Sequence, residues 1–171
     1  MNPENTKKLI EKYPLIFELV TSPGKPPHYC ISLFIFECGD GWYDIIDRLC
    51  FAIQNHIDHR QKSIEWDINF NKKMEEARNN NWENWPEYHV REPRVVSQAI
   101  PQVVATQVKE KFGGLRFYYN GGDEYIEGLV QMAELMSERT CEVCGNHGKI
   151  YTTGWHRTLC ETHAKEMNYV V

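Results

Sequence analysis

The feature that most constrains this chain is a pair of metal-ligand motifs near its C-terminal end. Cys141 and Cys144 are separated by two residues, and Cys160 and His163 repeat that spacing after fifteen intervening residues. A two-residue gap lets one tight turn direct both donor atoms at one ion, and thiolates with an imidazole suit tetrahedral zinc. We therefore predict a Zn²⁺ site made by these four side chains. Four protein ligands leave no open position, so the predicted role of the zinc is structural.

The residues between the two motifs predict a small unit built around the metal. Gly145 follows the first pair, where the chain must bend sharply, and residues 149–159 can form a hairpin. A helix after the hairpin would hold Cys160 and His163 in its first turn. This order of turn, hairpin and helix resembles a treble-clef zinc finger. We expect residues 139–171 to form such a zinc-binding unit, packed on the rest of the chain.

The treble-clef resemblance also raises the alternative of a metal-dependent nuclease or nucleic-acid-binding module. Nucleases with this fold usually carry adjacent histidines or an Asp-His pair in the hairpin. Here the hairpin offers a lone His156, and Asn168 lies late in the expected helix. The pattern therefore favours a protein that is not an enzyme, without settling the question.

Composition predicts a soluble intracellular protein of one domain or one domain with a small appendix. The chain has 171 residues, 42% of them hydrophobic, and no apolar run approaches a membrane span. No signal-peptide core follows the first residues, so we expect a cytoplasmic protein with reduced thiols. The 19 Lys and Arg residues against 24 Asp and Glu give a net charge of -5. This balance disfavours a protein that coats DNA unspecifically.

Hydrophobic patterning predicts an α+β fold. Residues 29–36, 101–112 and 115–120 read as strands of a small antiparallel sheet, because they are rich in β-branched and aromatic residues. Residues 42–59 and 124–138 each place their apolar side chains on one helical face. We expect these two amphipathic helices to cover one face of the sheet.

Residues 60–98 are predicted to be an insertion in, or an excursion from, a core domain of residues 1–138. Residues 64–78 can be helical, and Trp82 and Trp85 follow in a polar setting. Exposed tryptophans are common anchors of protein interfaces. An alternative function is therefore a protein–protein adaptor or inhibitor that uses this segment and the zinc unit to hold a host protein. The oligomeric state is left open.

The predicted hairpin has one cationic face. A two-residue turn at 113–114 would place Lys111 opposite Arg116 and Lys109 opposite Tyr118. Since side chains alternate along a strand, these four residues share the face that points away from the core. The core-directed face would carry Val108, Phe112, Leu115, Phe117 and Tyr119.

The cationic face is a candidate ligand site. Like charges directly opposite each other across two strands repel, and an anionic ligand would relieve that repulsion. Cations with an aromatic ring suit a phosphate and a stacked base. A solvated face with acidic neighbours is the alternative interpretation, because exposed strand lysines also discourage edge pairing. We predict non-catalytic binding of a nucleotide-type anion or short nucleic acid through Lys109, Lys111, Arg116 and Tyr118.

Three strings of this sequence resemble a family of small uncharacterised proteins encoded by bacteriophages, prophages and bacteria. They lie at residues 37–42, 107–118 and 140–163, and the resemblance covers residues 28–59 and 100–166. The family implies a phage or bacterial origin and expression in the bacterial cytoplasm. It brings no activity for individual residues. Its genomic setting implies a protein that modulates host functions, including nucleotide-signalled defence.

Overall fold

The computed structural model describes residues 1–21, 35–79 and 91–170. Several helices and two small sheets occur within these ranges, so the predicted α+β class is confirmed. The helices are α1 Pro3–Lys12, α2 Glu18–Thr21, α3 Tyr43–Asn79, α4 Glu124–Ser137 and α5 Glu161–Glu166. The strands are β1 Phe36–Glu37, β2 Val104–Lys111, β3 Gly114–Asn120, β4 Lys149–Tyr151 and β5 Arg157–Leu159. The chain divides into two compact units, Met1–Gln54 with Pro101–Val171, and Asn55–Ile100.

The larger sheet has the order β1-β2-β3 and is mixed. Strands β2 and β3 are antiparallel, whereas β1 runs parallel to β2 with Phe36 opposite Val108. The prediction of a wholly antiparallel sheet is therefore wrong at the β1 edge. The connection from β1 to β2 contains α3, and such a crossover returns the chain in its original direction. Most of the strand predicted over 29–36 lies outside the described residues.

Helix α3 follows a 3₁₀ turn over Asp40–Trp42 and runs for 37 residues, well past the predicted end at residue 59. Its apolar stripe stops at Ile57, and most side chains beyond that point are exposed. No glycine or proline interrupts the helix before its last residue, so nothing breaks the hydrogen-bonded backbone. In the described part of the chain, no helix is both long and apolar enough to cross a membrane.

Helix α4 closes the outer edge of β3. It starts at the predicted cap, Asp123, whose carboxylate accepts the N–H of Ile126 over 3.1 Å. The N–H of Leu115 donates to Ser137 Oγ over 2.8 Å, and the N–H of Phe117 donates to Glu134 Oε1 over 3.1 Å. Side chains of α4 thus satisfy strand donors that would otherwise invite edge pairing.

The fully buried core includes Trp42, Ile46, Ile53, Val103, Val108, Leu115 and Ile126.

The turn between β2 and β3 lies one residue earlier than predicted. Phe112 and Gly113 occupy its two central positions with φ of 55° and 82°. Two positive φ angles are those of a type I′ turn, whose twist matches the flanking strands. The register therefore differs from the prediction by two residues. Lys109, not Lys111, lies opposite Arg116.

A shift of two residues changes the partners but keeps residues 107–111 on their predicted faces. A bulge between Ala105 and Gln107 places the buried Ala105 on the same face as Val108. Tyr118 pairs with Gln107 instead of Lys109. Phe112 is the exception to the predicted faces, because it sits in the turn and is 69% exposed instead of packing on the core. The core-directed residues that are buried as predicted are Val108, Leu115 and Phe117.

Candidate functional site

The four predicted metal ligands lie together. Their nearest sulfur and nitrogen atoms are all within 4.8 Å of one another, so one metal ion can contact all four. The Sγ atoms of Cys141 and Cys160 are 3.5 and 3.2 Å from His163 Nδ1. Cys144 Sγ is 3.8 Å from Cys160 Sγ. The geometry shows a cluster that can bind a metal ion and leaves the identity of the ion open.

Local backbone structure directs the donor atoms of these four side chains towards one another. Gly145 has a φ of 78° and donates its N–H to the Cys141 carbonyl over 2.9 Å, which closes the first turn. Strands β4 and β5 pair antiparallel, as the sequence predicts. Cys160 is the N-cap of α5, and His163 lies three residues later in its first turn. Each ligand pair therefore comes from one short local structure.

The environment of the second pair favours metal binding chemically. The backbone N–H and the ring of His163 act on the Cys160 sulfur and, with Cys141 and Cys144, lower the pKa of the Cys160 thiol to about 7. A thiol with this pKa supplies the thiolate, the form that binds metals, near neutral pH. On the other side of the imidazole, Glu166 Oε2 lies 3.9 Å from His163 Nε2. This distance is that of an ion pair and is too long for a hydrogen bond.

The turn at residues 39–41 packs directly on the metal-ligand turn. The N–H of Gly41 donates to the Glu142 carbonyl over 2.8 Å, and the N–H of Gly39 donates to Glu142 Oε1 over 2.9 Å. A Cβ atom on Gly39 would overlap the Glu142 carbonyl, and one on Gly41 would overlap the Cys141 carbonyl. Both glycines are therefore required by a close approach of two backbones.

Glu142 and Thr158 are two site residues that sequence reasoning missed. The Glu142 side chain is buried, and its Oε2 accepts from Arg157 Nη2 over 3.1 Å. Thr158 is also buried and donates its hydroxyl to the Gly113 carbonyl. These contacts hold the metal-ligand unit against both glycine turns. The only signal in the sequence for this role was the position of the Glu142 carboxylate between two predicted ligands.

The structure brings the four predicted ligand-binding residues onto one face of the β2–β3 hairpin, which we call the hairpin face. Lys109 and Arg116 are direct cross-strand partners, and Lys111 is two residues further along β2. Lys109 Nζ lies 5.3 Å from the centroid of the Tyr118 ring, which is 41% exposed. Lys111 is exposed.

Acidic groups border the hairpin face. Glu134 Oε2 is 3.7 Å from Arg116 Nη1, and Arg116 also donates to the Leu115 carbonyl over 2.6 Å. Glu37 accepts from Gln107 Nε2 over 3.0 Å. Arg116 is thus partly neutralised within the chain. Glu37 is also the register partner of Lys109 on β1, and Lys111 is the most exposed of the three cations.

The two alternative functions rest on Trp82 with Trp85 and on His156. Trp82 and Trp85 fall outside the described residues. His156 is exposed and meets the Phe112 ring edge-on, with centroids 6.3 Å apart. Among the residues that the structure describes, His156 does not belong to the metal-ligand cluster.

Comparison of the chain with protein-family models, curated proteins and solved structures found no match.

Proposed function

We propose that this chain is a non-catalytic binding protein whose metal centre is a structural zinc site. Zn–S bonds of about 2.3 Å and Zn–N bonds of about 2.0 Å in a tetrahedron separate two sulfurs by about 3.8 Å, and sulfur from nitrogen by about 3.5 Å. The Cys144–Cys160 and Cys141–His163 distances are 3.8 and 3.5 Å. The order of turn, hairpin and ligand-bearing helix supports a treble-clef-like unit. Four protein donors leave no position for a substrate or a reactive water.

The proposed ligand of the hairpin face is a phosphate-bearing, nucleotide-type anion. The observation that carries this proposal is the direct pairing of Lys109 with Arg116, with Lys111 next along β2. Opposed cations repel each other, and a phosphate between them converts the repulsion into attraction. Tyr118 stands beside Lys109 and offers a ring on which a base can stack.

Calorimetric titration with mononucleotides and with cyclic and linear dinucleotides tests the proposal. Lys109→Glu and Lys111→Glu should each abolish binding of whichever nucleotide the parent protein takes. Lys62→Glu makes the same charge change on the exposed surface of α3 and should leave binding unchanged. Equal affinity of the parent and both hairpin variants would contradict the proposal.

The biological setting follows from the ligand. If the nucleotide is a signalling molecule, sequestering it would modulate a host's nucleotide-signalled defence, the role that the family resemblance implies for a phage-encoded protein. The adaptor and nuclease functions stay predictions, because no contact among the described residues favours them. Deletion of residues 79–90 would test the adaptor, and magnesium-dependent cleavage that is lost in His156→Ala would support the nuclease.

A further inference from the structure

A cluster of exposed aromatic side chains lies beside the tip of the β2–β3 hairpin. Phe112 is 69% exposed and Trp155 is 73% exposed. His156 is exposed as well, and its ring meets that of Phe112 at 63°. We call these three residues the aromatic tip. None of them contributes to the buried core, so folding alone does not explain why large rings stand there.

The backbone of Phe112 carries strain. Its φ of 55° lies in the left-handed region, where a side chain with a Cβ crowds the backbone. The first central position of a type I′ turn favours Asn, Asp or Gly. A large aromatic residue there is unfavourable for the backbone and also leaves its ring in water. Such an outlier points towards a function for the ring.

Trp155 is held in place although its ring is exposed. Its indole N–H donates to Glu110 Oε2 over 3.4 Å, and its carbonyl accepts from the Tyr169 hydroxyl over 2.6 Å. Glu110 also accepts the N–H of Gly113 through Oε1 over 2.6 Å. One carboxylate thus connects the Phe112–Gly113 turn to Trp155. Rings fixed before binding lose less conformational freedom when a ligand arrives.

Positive charge continues from Phe112 along the hairpin face, whereas the Glu110 side chain that binds Trp155 alternates to the other face of β2. Lys111 Nζ lies 5.5 Å from the Phe112 ring centroid, and Lys109 follows two residues along the same face. Rings beside a row of cations are the arrangement that binds single-stranded nucleic acid, because bases stack on the rings and phosphates contact the cations. We propose that the aromatic tip is a base-stacking subsite. The ligand is then a short single-stranded oligonucleotide whose phosphates lie along Lys111 and Lys109.

This inference rests on the proposed phosphate site and adds bases as recognised groups, so the test separates bases from phosphates. Fluorescence anisotropy would compare labelled octathymidylate with an abasic strand of eight phosphodiesters. Stacking contributes enough per base that the parent should bind octathymidylate about tenfold more tightly or better. Phe112→Asn should remove that preference and leave the affinity for the abasic strand unchanged. Asparagine tolerates the left-handed conformation, so this variant should melt no lower than the parent.

A matched control and the Lys variants separate the two proposals. Phe51→Asn makes the same substitution at a half-exposed phenylalanine of α3 and should keep the base preference. If both strands bind equally well and Lys111→Glu weakens both, the aromatic tip is not a stacking subsite and the phosphate site stands. If the base preference depends on Phe112 while Lys109→Glu and Lys111→Glu have no effect, the stacking subsite stands and the phosphate site falls. If the protein binds neither strand, the oligonucleotide proposal is wrong.

Discussion

Gly41 donates its backbone N–H to the carbonyl oxygen of Glu142 over 2.8 Å. Glu142 lies between two predicted metal ligands, and Gly41 lies in the turn that leads into α3. The contact therefore connects the start of α3 to the backbone of the metal-ligand turn. Events at the metal centre should change the stability of the core that contains Trp42, whose indole N–H donates to the Thr140 carbonyl over 2.7 Å.

Gly41→Ala should destabilise the protein strongly. The added methyl group would overlap the Cys141 carbonyl and the Gly145 amide, and backbone atoms cannot move aside cheaply. We expect a loss of about 3 kcal/mol in the free energy of unfolding, measured by urea denaturation of the metal-loaded protein. Gly128→Ala is the matched control. Gly128 lies in α4 with no atom within 4 Å of an added Cβ, so alanine should stabilise by about 0.5–1 kcal/mol. A Gly41→Ala protein as stable as its parent would mean that the close approach is not needed.

Removal of the metal should unfold the metal-ligand unit and change the surroundings of Trp42. We expect one zinc ion per chain by elemental analysis, and a loss of that ion in Cys144→Ser, because the remaining three ligands bind much more weakly. Loss of zinc should shift the Trp42 indole resonance, since Thr140 would no longer be held in place. Cys50→Ala removes a thiol that lies outside the cluster and should retain one zinc per chain. Zinc retained at full stoichiometry by Cys144→Ser would argue against the assigned ligands.

The pH dependence of stability should include a contribution from Asp47. Burial acts to raise the pKa of this carboxyl group, but hydrogen bonds from Lys12 and Tyr13 outweigh burial and hold the pKa below its usual value. A carboxyl with a lower pKa in the folded state stabilises the fold above its unfolded pKa of about 3.9. That stabilisation is lost as the pH falls through the folded value.

Asp47→Asn should therefore flatten the dependence of unfolding free energy on pH below about pH 4.5. Urea denaturation between pH 3 and pH 6 would measure this slope for the parent and the variant. Identical slopes for Asp47→Asn and the parent would show that this carboxyl group does not carry the effect.

Glu142→Gln should weaken the attachment of the metal-ligand unit. The variant keeps an acceptor for the Gly39 N–H but loses the ion pair between the buried carboxylate and Arg157. We expect a loss of about 1–3 kcal/mol in the free energy of unfolding. A double-mutant cycle with Arg157→Met should give a positive coupling energy. Additive effects of the two substitutions would indicate that the pair contributes nothing to stability.

The metal-ligand cluster was predictable because its geometry is local. Cys141 and Cys144 share one turn, and Cys160 and His163 share the first turn of α5. A spacing of two residues determines which donor atoms can reach one ion, whatever the rest of the fold does. The start of α4 was predictable for the same reason, since Asp123 caps its own helix.

The turn of the β2–β3 hairpin depends on tertiary contacts. Two adjacent glycines favour a turn at 113–114, yet the structure uses Gly114 as the first residue of β3. There Gly114 is buried beside Arg116 and Glu138, and the neighbouring Gly113 lies against Ile150 and Arg157. Gly113 therefore packs against β4 and β5 in the observed turn, and that turn leaves Phe112 strained and exposed.

The sequence by itself determined the α+β class, the metal-ligand quartet and the shared face of Lys109, Lys111, Arg116 and Tyr118, since each follows from the spacing of neighbouring residues. Tertiary structure decided that Lys109 lies opposite Arg116 and that Glu134 partly neutralises Arg116. It also decided that the turn at residues 39–41 donates a hydrogen bond to Glu142. The last two pairings join residues distant in the chain, and the first depends on which residues form the hairpin turn. Their geometry depends on how closely two backbones can approach, and local residue preferences do not encode that distance.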